Sequence, residues 1–155
     1  MISFEPITEE TLYIAHELLN SNMEYNRLEN GEETRTMEVT RKEYMNEETI
    51  SLFIKADDTY IGFIDYMLKN PKDGYPWIGS FMIHSDYHGY GYGTQAYLMF
   101  EQQMLDQGIS ALRLGVLQQN PRARVFWERL GFEHYTTKPL GKNQVGCFEK
   151  KLIGE

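Results

Sequence analysis

Residues 81–93, Phe-Met-Ile-His-Ser-Asp-Tyr-His-Gly-Tyr-Gly-Tyr-Gly, constrain this chain more than any other stretch. Phe81, Met82 and Ile83 are apolar without alternation, the pattern of a strand covered on both faces, and Ser85-Asp86 supply turn chemistry directly after them. The strand is expected to end at His84. Gly89, Gly91 and Gly93 then recur at every second position before a helix over 93–107 whose Ala96, Phe100 and Met104 share one stripe, with Gly108 as its stop. A glycine-studded turn that opens a helix leaves backbone N–H groups pointing outward and lets an anion come close to them. The turn is therefore a candidate phosphate cradle. The competing reading is a flexible loop whose glycines only allow tight packing.

The spacing G-x-G-x-G departs from the dinucleotide fingerprint G-x-G-x-x-G, and no Gly-Lys-Ser/Thr is present for a P-loop. Nucleotide binding by this loop would have to proceed without the lysine that usually accompanies it.

The remaining elements fall around this unit. Residues 2–7 read as a strand, with Thr8 capping a helix whose Leu12, Ala15 and Leu19 form the buried stripe and which ends at Asn20-Ser21-Asn22. Residues 23–40 are polar and irregular, and a short helix is expected over 40–46. Residues 50–55 and 60–68 form a hairpin around Ala-Asp-Asp-Thr, and a turn at 70–74 leads into a third antiparallel strand over 75–84. A strand at 111–117 follows the glycine-loop helix, which implies a parallel crossover. Asn120 caps the last helix, Pro121 occupies its first position, and Ala123, Phe126, Trp127 and Leu130 are spaced i, i+3, i+4, i+7. Strands at 132–137 and 144–152 close the sheet. The whole reads as one mixed α+β domain over 1–155, a mostly antiparallel sheet of about seven strands with about four helices.

Two motifs carry a resemblance to a known family. His88-Gly89-Tyr90-Gly91-Tyr92-Gly93 matches Arg/Gln-x-x-Gly-x-Gly/Ala with His88 in the first position. Asn120-Pro121-Arg122-Ala123-Arg124-Val125-Phe126-Trp127-Glu128-Arg129-Leu130-Gly131-Phe132 matches Asn-x-x-Ala-x-x-Phe-Tyr-x-x-x-Gly-Phe with Trp127 replacing the tyrosine. The chain thus resembles the GNAT superfamily of acetyl-CoA-dependent N-acetyltransferases over nearly its whole length.

That resemblance implies a fold whose two central parallel strands splay apart, and acetyl-CoA as the acyl donor. Its pyrophosphate would sit on Gly89, Tyr90, Gly91, Tyr92, Gly93 and Thr94 beside His88. Its pantetheine arm would run along Phe81, Met82 and Ile83, with Asn120, Arg122, Phe126 and Trp127 on the other side. Four arginines, Arg113, Arg122, Arg124 and Arg129, are expected near that site. The backbone N–H of Ile83 would stabilise the oxyanion. The tyrosine that commonly protonates the leaving thiolate is Trp127 here, and an indole N–H is too weakly acidic for that role. The strand glutamate of some relatives aligns with Trp77, which leaves His84, Asp65 and Glu24 as candidate bases against water-mediated deprotonation. The resemblance makes 23–40 a helix-loop-helix region that covers the acceptor, and Tyr25, Tyr66 and Trp77 are candidates to line its pocket. The acceptor implied is an amine of a small molecule or a peptide, and dimers are frequent among such proteins. A non-catalytic acyl-CoA-binding or sensing module is the alternative that the missing Tyr and Glu leave open.

Composition narrows the classes. The formal charge of −8 argues against nucleic acid, whose phosphates need a basic surface, and favours a cationic substrate by steering. Cys147 is the single cysteine, so neither an intrachain disulfide nor a thiolate metal cluster is expected, and no metal site is read. No apolar run approaches the roughly 20 residues of a membrane helix, and the acidic start is unlike a signal peptide, so no membrane association and a cytoplasmic setting are expected.

Overall fold

The computed structural model describes residues 1–153, with backbone alone at 29 and 30. Seven strands form one sheet in the order β1-β2-β3-β4-β5-β7-β6. They are β1 Ile2–Pro6, β2 Ile50–Ala56, β3 Thr59–Met67, β4 Trp77–Ile83, β5 Ala111–Leu117, β6 Glu133–Leu140 and β7 Asn143–Lys151. Every neighbouring pair is antiparallel except β4 and β5. The helices are α1 Leu12–Asn20, α2 Met23–Asn30, α3 Met37–Tyr44, α4 Tyr92–Asp106 and α5 Pro121–Arg129.

The sheet has a core on each face, which is why β2 and β3 read as continuous apolar runs. Phe53 and Phe63 join Leu12, Ala15, Leu18 and Leu19 of α1 and Tyr44 of α3 on one side. Ile54 and Ile64 join Ala96, Phe100 and Met104 of α4 and Trp127 of α5 on the other.

The N-terminal half differs in two places from what its residue pattern alone predicts. Thr8 caps a short 3-10 turn, Glu9–Thr11, rather than α1 itself. Residues 23–30 are helical, because Asn22 accepts from the Tyr25 N–H at 3.2 Å and Gly31 ends the segment at φ 85°. The flank is thus the helix-loop-helix that the resemblance implies, with α3 beginning three residues before the expected Thr40, and the helices number five where about four were expected. Asn20 then pins the intervening loop, accepting from the Arg35 N–H at 2.7 Å and donating to its carbonyl at 3.0 Å. The side-chain amide of Asn26, fully buried, donates to the carbonyls of Leu19 and Glu33.

The feature that positions the site is the β4–β5 pair. Its register covers only Trp77–Arg113 and Ile78–Leu114, after which the strands diverge. Around that closed end Arg113 lies between the rings of Tyr75 and Tyr135 and donates to Asp73 and Glu149. Asp73 also accepts from the Trp77 indole N–H at 2.8 Å.

Candidate active site

Antiparallel alternation fixes which backbone groups of β4 face the gap. His84 donates from its backbone N–H to Ile61 at 2.7 Å, and the register pairs Gly62 with Ile83, Phe63 with Met82 and Ile64 with Phe81. Hydrogen-bonded and non-bonded pairs alternate, so the N–H and C=O of Phe81 and Ile83 point away from β3. On that side β5 has already diverged. Two residues therefore present donors and acceptors to an open groove, and one of the acceptors is taken. The Ile83 carbonyl accepts from His88 Nε2 at 2.6 Å.

The loop after β4 delivers the next donors. Gly89 and Gly91 adopt φ of 86° and 81°, and a Cβ at either would meet nothing within 4 Å, so conformation rather than crowding requires glycine there. Gly93 has a different role: a Cβ would stand 3.4 Å from the Phe126 ring, at the packing of α4 on α5. Gly91 caps α4 with no side chain to offer, and the first intrahelical bond comes from Gln95, so the N–H groups of Tyr92, Gly93 and Thr94 are left for a ligand.

These groups border a cleft of about 560 Å³ between β4, the loop, α4, α5 and α2. Asn120 sits on its wall with its side-chain oxygen committed to the Ala123 N–H at 3.2 Å, which leaves its amide N–H groups for the cleft. Arg122 and Arg129 lie at the α5 side. Trp127 is buried edge-on against Phe81, Tyr97, Phe126 and Phe132 and forms the cleft's aromatic wall.

A second cavity, of about 280 Å³, lies on the opposite face of the sheet beneath α1, α2 and α3. Asn22, Tyr25, Phe81 and Met82 line both, so the two meet at β4. The second cavity has a polar side: Arg35 and Glu43 pair at 2.7 Å, and Tyr44, Ser80 and Asp65 join them, while Leu19, Phe63, Phe81 and Met82 line the rest. Burial pushes the Asp65 carboxyl up to about 6, with Glu43 adding to the effect and hydrogen bonds from Ser51 and Thr49 opposing it. Burial likewise holds the Tyr44 hydroxyl well above its ordinary value.

The structure thus gathers Phe81, Met82, Ile83, His88, Gly89, Gly91, Tyr92, Gly93, Thr94, Asn120, Arg122, Phe126 and Trp127 around one cleft. Tyr90, also in the loop, is 69 % exposed and does not line it. Glu24 borders the cleft, Asp65 borders the second cavity, and Tyr25 borders both. His84 borders neither: its Nδ1 accepts from the Asp86 N–H at 3.0 Å and caps the turn after β4. Tyr66 packs on Phe100 in the core and Trp77 sits at the closed end of the β4–β5 pair, both outside the two cavities. Of the four arginines, Arg113 lies at that closed end and Arg124 pairs with Glu128, so only Arg122 and Arg129 reach the cleft. Sequence reasoning missed Gly79, Ser80, Glu43 and Tyr44. A glycine inside a strand is the one available signal, since it marks a bulge.

Comparison with known proteins follows the same lines. The model of the Acetyltransferase (GNAT) family matches residues 14–132. No curated protein matches the sequence. Among solved structures, an acetyltransferase from Thermus thermophilus superposes with a TM-score of 0.81 at 19 % identity, covering 97 % of both chains. The ribosomal-protein-S18-alanine N-acetyltransferase from Escherichia coli gives 0.76 at 13 % identity, covering 100 % of this chain and 96 % of that one. The PaiA N-acetyltransferase from Thermoplasma acidophilum in complex with coenzyme A gives 0.71 at 21 % identity, covering 97 % and 99 %.

Proposed function

The chain belongs to the GNAT acetyltransferase family, and we propose that it transfers the acetyl group of acetyl-CoA to a primary amine of a small molecule or peptide by direct attack in a ternary complex. The observation that carries this reading is the meeting of two cavities at Phe81 and Met82, one bordered by a phosphate cradle and the other by polar side chains. A module that only bound acyl-CoA would need the first cavity and not the second. The neighbours named as N-acetyltransferases, one acting on an alanine of a ribosomal protein and one in complex with coenzyme A, support the amine as acceptor class.

The residues fit the donor. The N–H groups at the start of α4, with the helix dipole behind them, suit a pyrophosphate. The gap-facing groups of Phe81 and Ile83 that no side chain occupies, both N–H groups and the Phe81 C=O, suit the amides of a pantetheine arm, which would bond β4 as an added strand, while Asn120 reaches it from α5. When bound, acetyl-CoA supplies a thioester carbonyl. Of the N–H groups of Ile83 and Phe81, the one that no pantetheine amide takes would donate to an oxygen on which charge develops. Trp127 excludes water from the groove. Its indole cannot supply the proton for the thiolate, which comes instead from the attacking ammonium or water.

Calorimetric titration with acetyl-CoA followed by thiol release over a panel of amines tests the reading. Binding with turnover supports it; binding without turnover favours the sensing module, and no binding removes the cradle assignment.

A further inference from the structure

The second cavity carries a more specific assignment. At about 280 Å³ it falls just below the roughly 300–1,000 Å³ typical of drug-sized ligands, so its interior suits one small head group. Its charged side chains are Arg35, Glu43 and Asp65. Arg35 and Glu43 offset each other, so the cavity's net charge is that of Asp65.

Asp65 is also aimed. Its Oδ2 accepts from Ser51 Oγ. Its Oδ1 faces β4 at a bulge: Asp65 pairs with Ser80 and Tyr66 with Ile78, so Gly79 has no partner on β3. A Cβ at Gly79 would stand 3.0 Å from Asp65 Oδ1, so any larger residue there would crowd that oxygen. Two residues further along, Phe81 turns its N–H into the gap that joins the two cavities.

We propose that this cavity takes a compact, free-standing cationic amine as the acetyl acceptor, and that Asp65 Oδ1 binds its ammonium and removes the proton that blocks attack. The assignment rests on the acetyl-transfer reading above. The ammonium gives one proton to the Asp65 carboxylate, and the freed nitrogen lone pair bonds the acetyl carbonyl carbon. The C–S bond breaks, sulfur keeps its electron pair and takes a second proton from nitrogen, and Asp65 releases its own proton to solvent. Ammonium and acetyl-CoA become the N-acetyl amine, CoA thiol and one proton.

The groups facing Asp65 agree with this role. Ser51 and Thr49 donate to it from the β2 side, Glu43 and Tyr44 approach from α3, Arg35 from the segment before α3, Tyr25 from α2, and Ser80 from β4. Burial raises its pKa to about 6, which leaves the carboxylate ionised at neutral pH and more basic than an exposed one. The formal charge of −8 draws cations toward the molecule.

The test compares 1,4-diaminobutane, ethanolamine and lysine methyl ester with an aminoglycoside and a short peptide bearing a free N-terminus, all with acetyl-CoA. The compact amines are expected to exceed the other two in kcat/KM by about tenfold or more. Asp65→Asn is expected to lower kcat about 100-fold at unchanged acetyl-CoA affinity, and to abolish the fall in rate that the wild type shows below about pH 6. Gly79→Ala, which keeps the carboxylate and crowds it, is expected to lower kcat about tenfold. Asp65→Asn with wild-type kcat and an intact acidic limb would overturn the base assignment. Preference for the aminoglycoside or peptide would overturn the acceptor class. A wild type that turns over no amine would instead remove the acetyl-transfer reading on which both stand.

Discussion

His88 Nε2 stands 2.6 Å from the carbonyl oxygen of Ile83. A carbonyl can only accept, so this ring nitrogen carries the hydrogen. The bond ties the start of the glycine loop to the last residue of β4 and fixes the distance between the loop's donors and the groove. Histidine at a position where the family pattern has arginine or glutamine thus still supplies an N–H donor.

Removing that donor with His88→Ala leaves the Ile83 carbonyl facing the groove alone. Acetyl-CoA affinity is expected to fall about three- to tenfold, equivalent to one net hydrogen bond of about 1 kcal/mol. His88→Gln should restore most of it. Calorimetry decides, and an unchanged Kd for the alanine variant would mean that the loop holds its shape unaided.

Gly91→Ala places a Cβ on a left-handed residue at the mouth of the cradle. Backbone strain of about 1 kcal/mol is expected in thermal unfolding, together with weaker acetyl-CoA binding. Gly141→Ala, also left-handed at φ 58° but in the β6–β7 turn, is the control. It should show similar strain and unchanged affinity; equal losses of affinity in both variants would contradict the cradle.

The buried Asp65 carboxyl also predicts a pH-dependent cost in stability. Its pKa rises from 3.8 unfolded to about 6 folded, so the native state binds the proton more tightly. Its contribution to stability is complete below about pH 4 and is lost as pH rises through about 6. A tenfold difference in proton affinity between the two states is worth about 1.4 kcal/mol, which bounds the loss near 3 kcal/mol. Asp65→Asn is therefore expected to gain about 1–3 kcal/mol at pH 7.5 and nothing at pH 4. Urea denaturation at the two pH values measures this, and destabilisation at pH 7.5 would contradict it.

Trp127→Phe tests whether the aromatic wall has a proton role. The smaller ring keeps the edge-on contacts with Phe81 and Phe132 at a modest packing cost, so turnover is expected to stay within about threefold of wild type. A collapse of kcat at unchanged acetyl-CoA affinity would assign the indole N–H a direct part.

Much of the cleft between β4, α4 and α5 was legible in the chain because its determinants are local. Gly89 and Gly91 occupy left-handed positions that few other residues adopt, Asn120 and Pro121 start α5 by cap chemistry, and the Ala123, Phe126, Trp127, Leu130 stripe follows from helical period. The second cavity was not. Asp65 is one carboxylate among 23 acidic residues. Nothing in its neighbours along the chain distinguishes it from Glu24, which borders the cleft instead.

Sequence by itself determined the strand, glycine loop and helix, the two-faced sheet and the family, because hydrophobic period, caps and left-handed glycines act within a few residues of one another. Tertiary structure decided what those elements enclose. The bulge sets Gly79 beside Asp65 Oδ1, the clamp around Arg113 closes one end of the β4–β5 pair while the other diverges, and Asn20 and Asn26 hold the segment that carries Arg35 into the second cavity. Each of these joins residues distant along the chain, and their alignment depends on strand register. A shift of one residue would turn Asp65 to the opposite face.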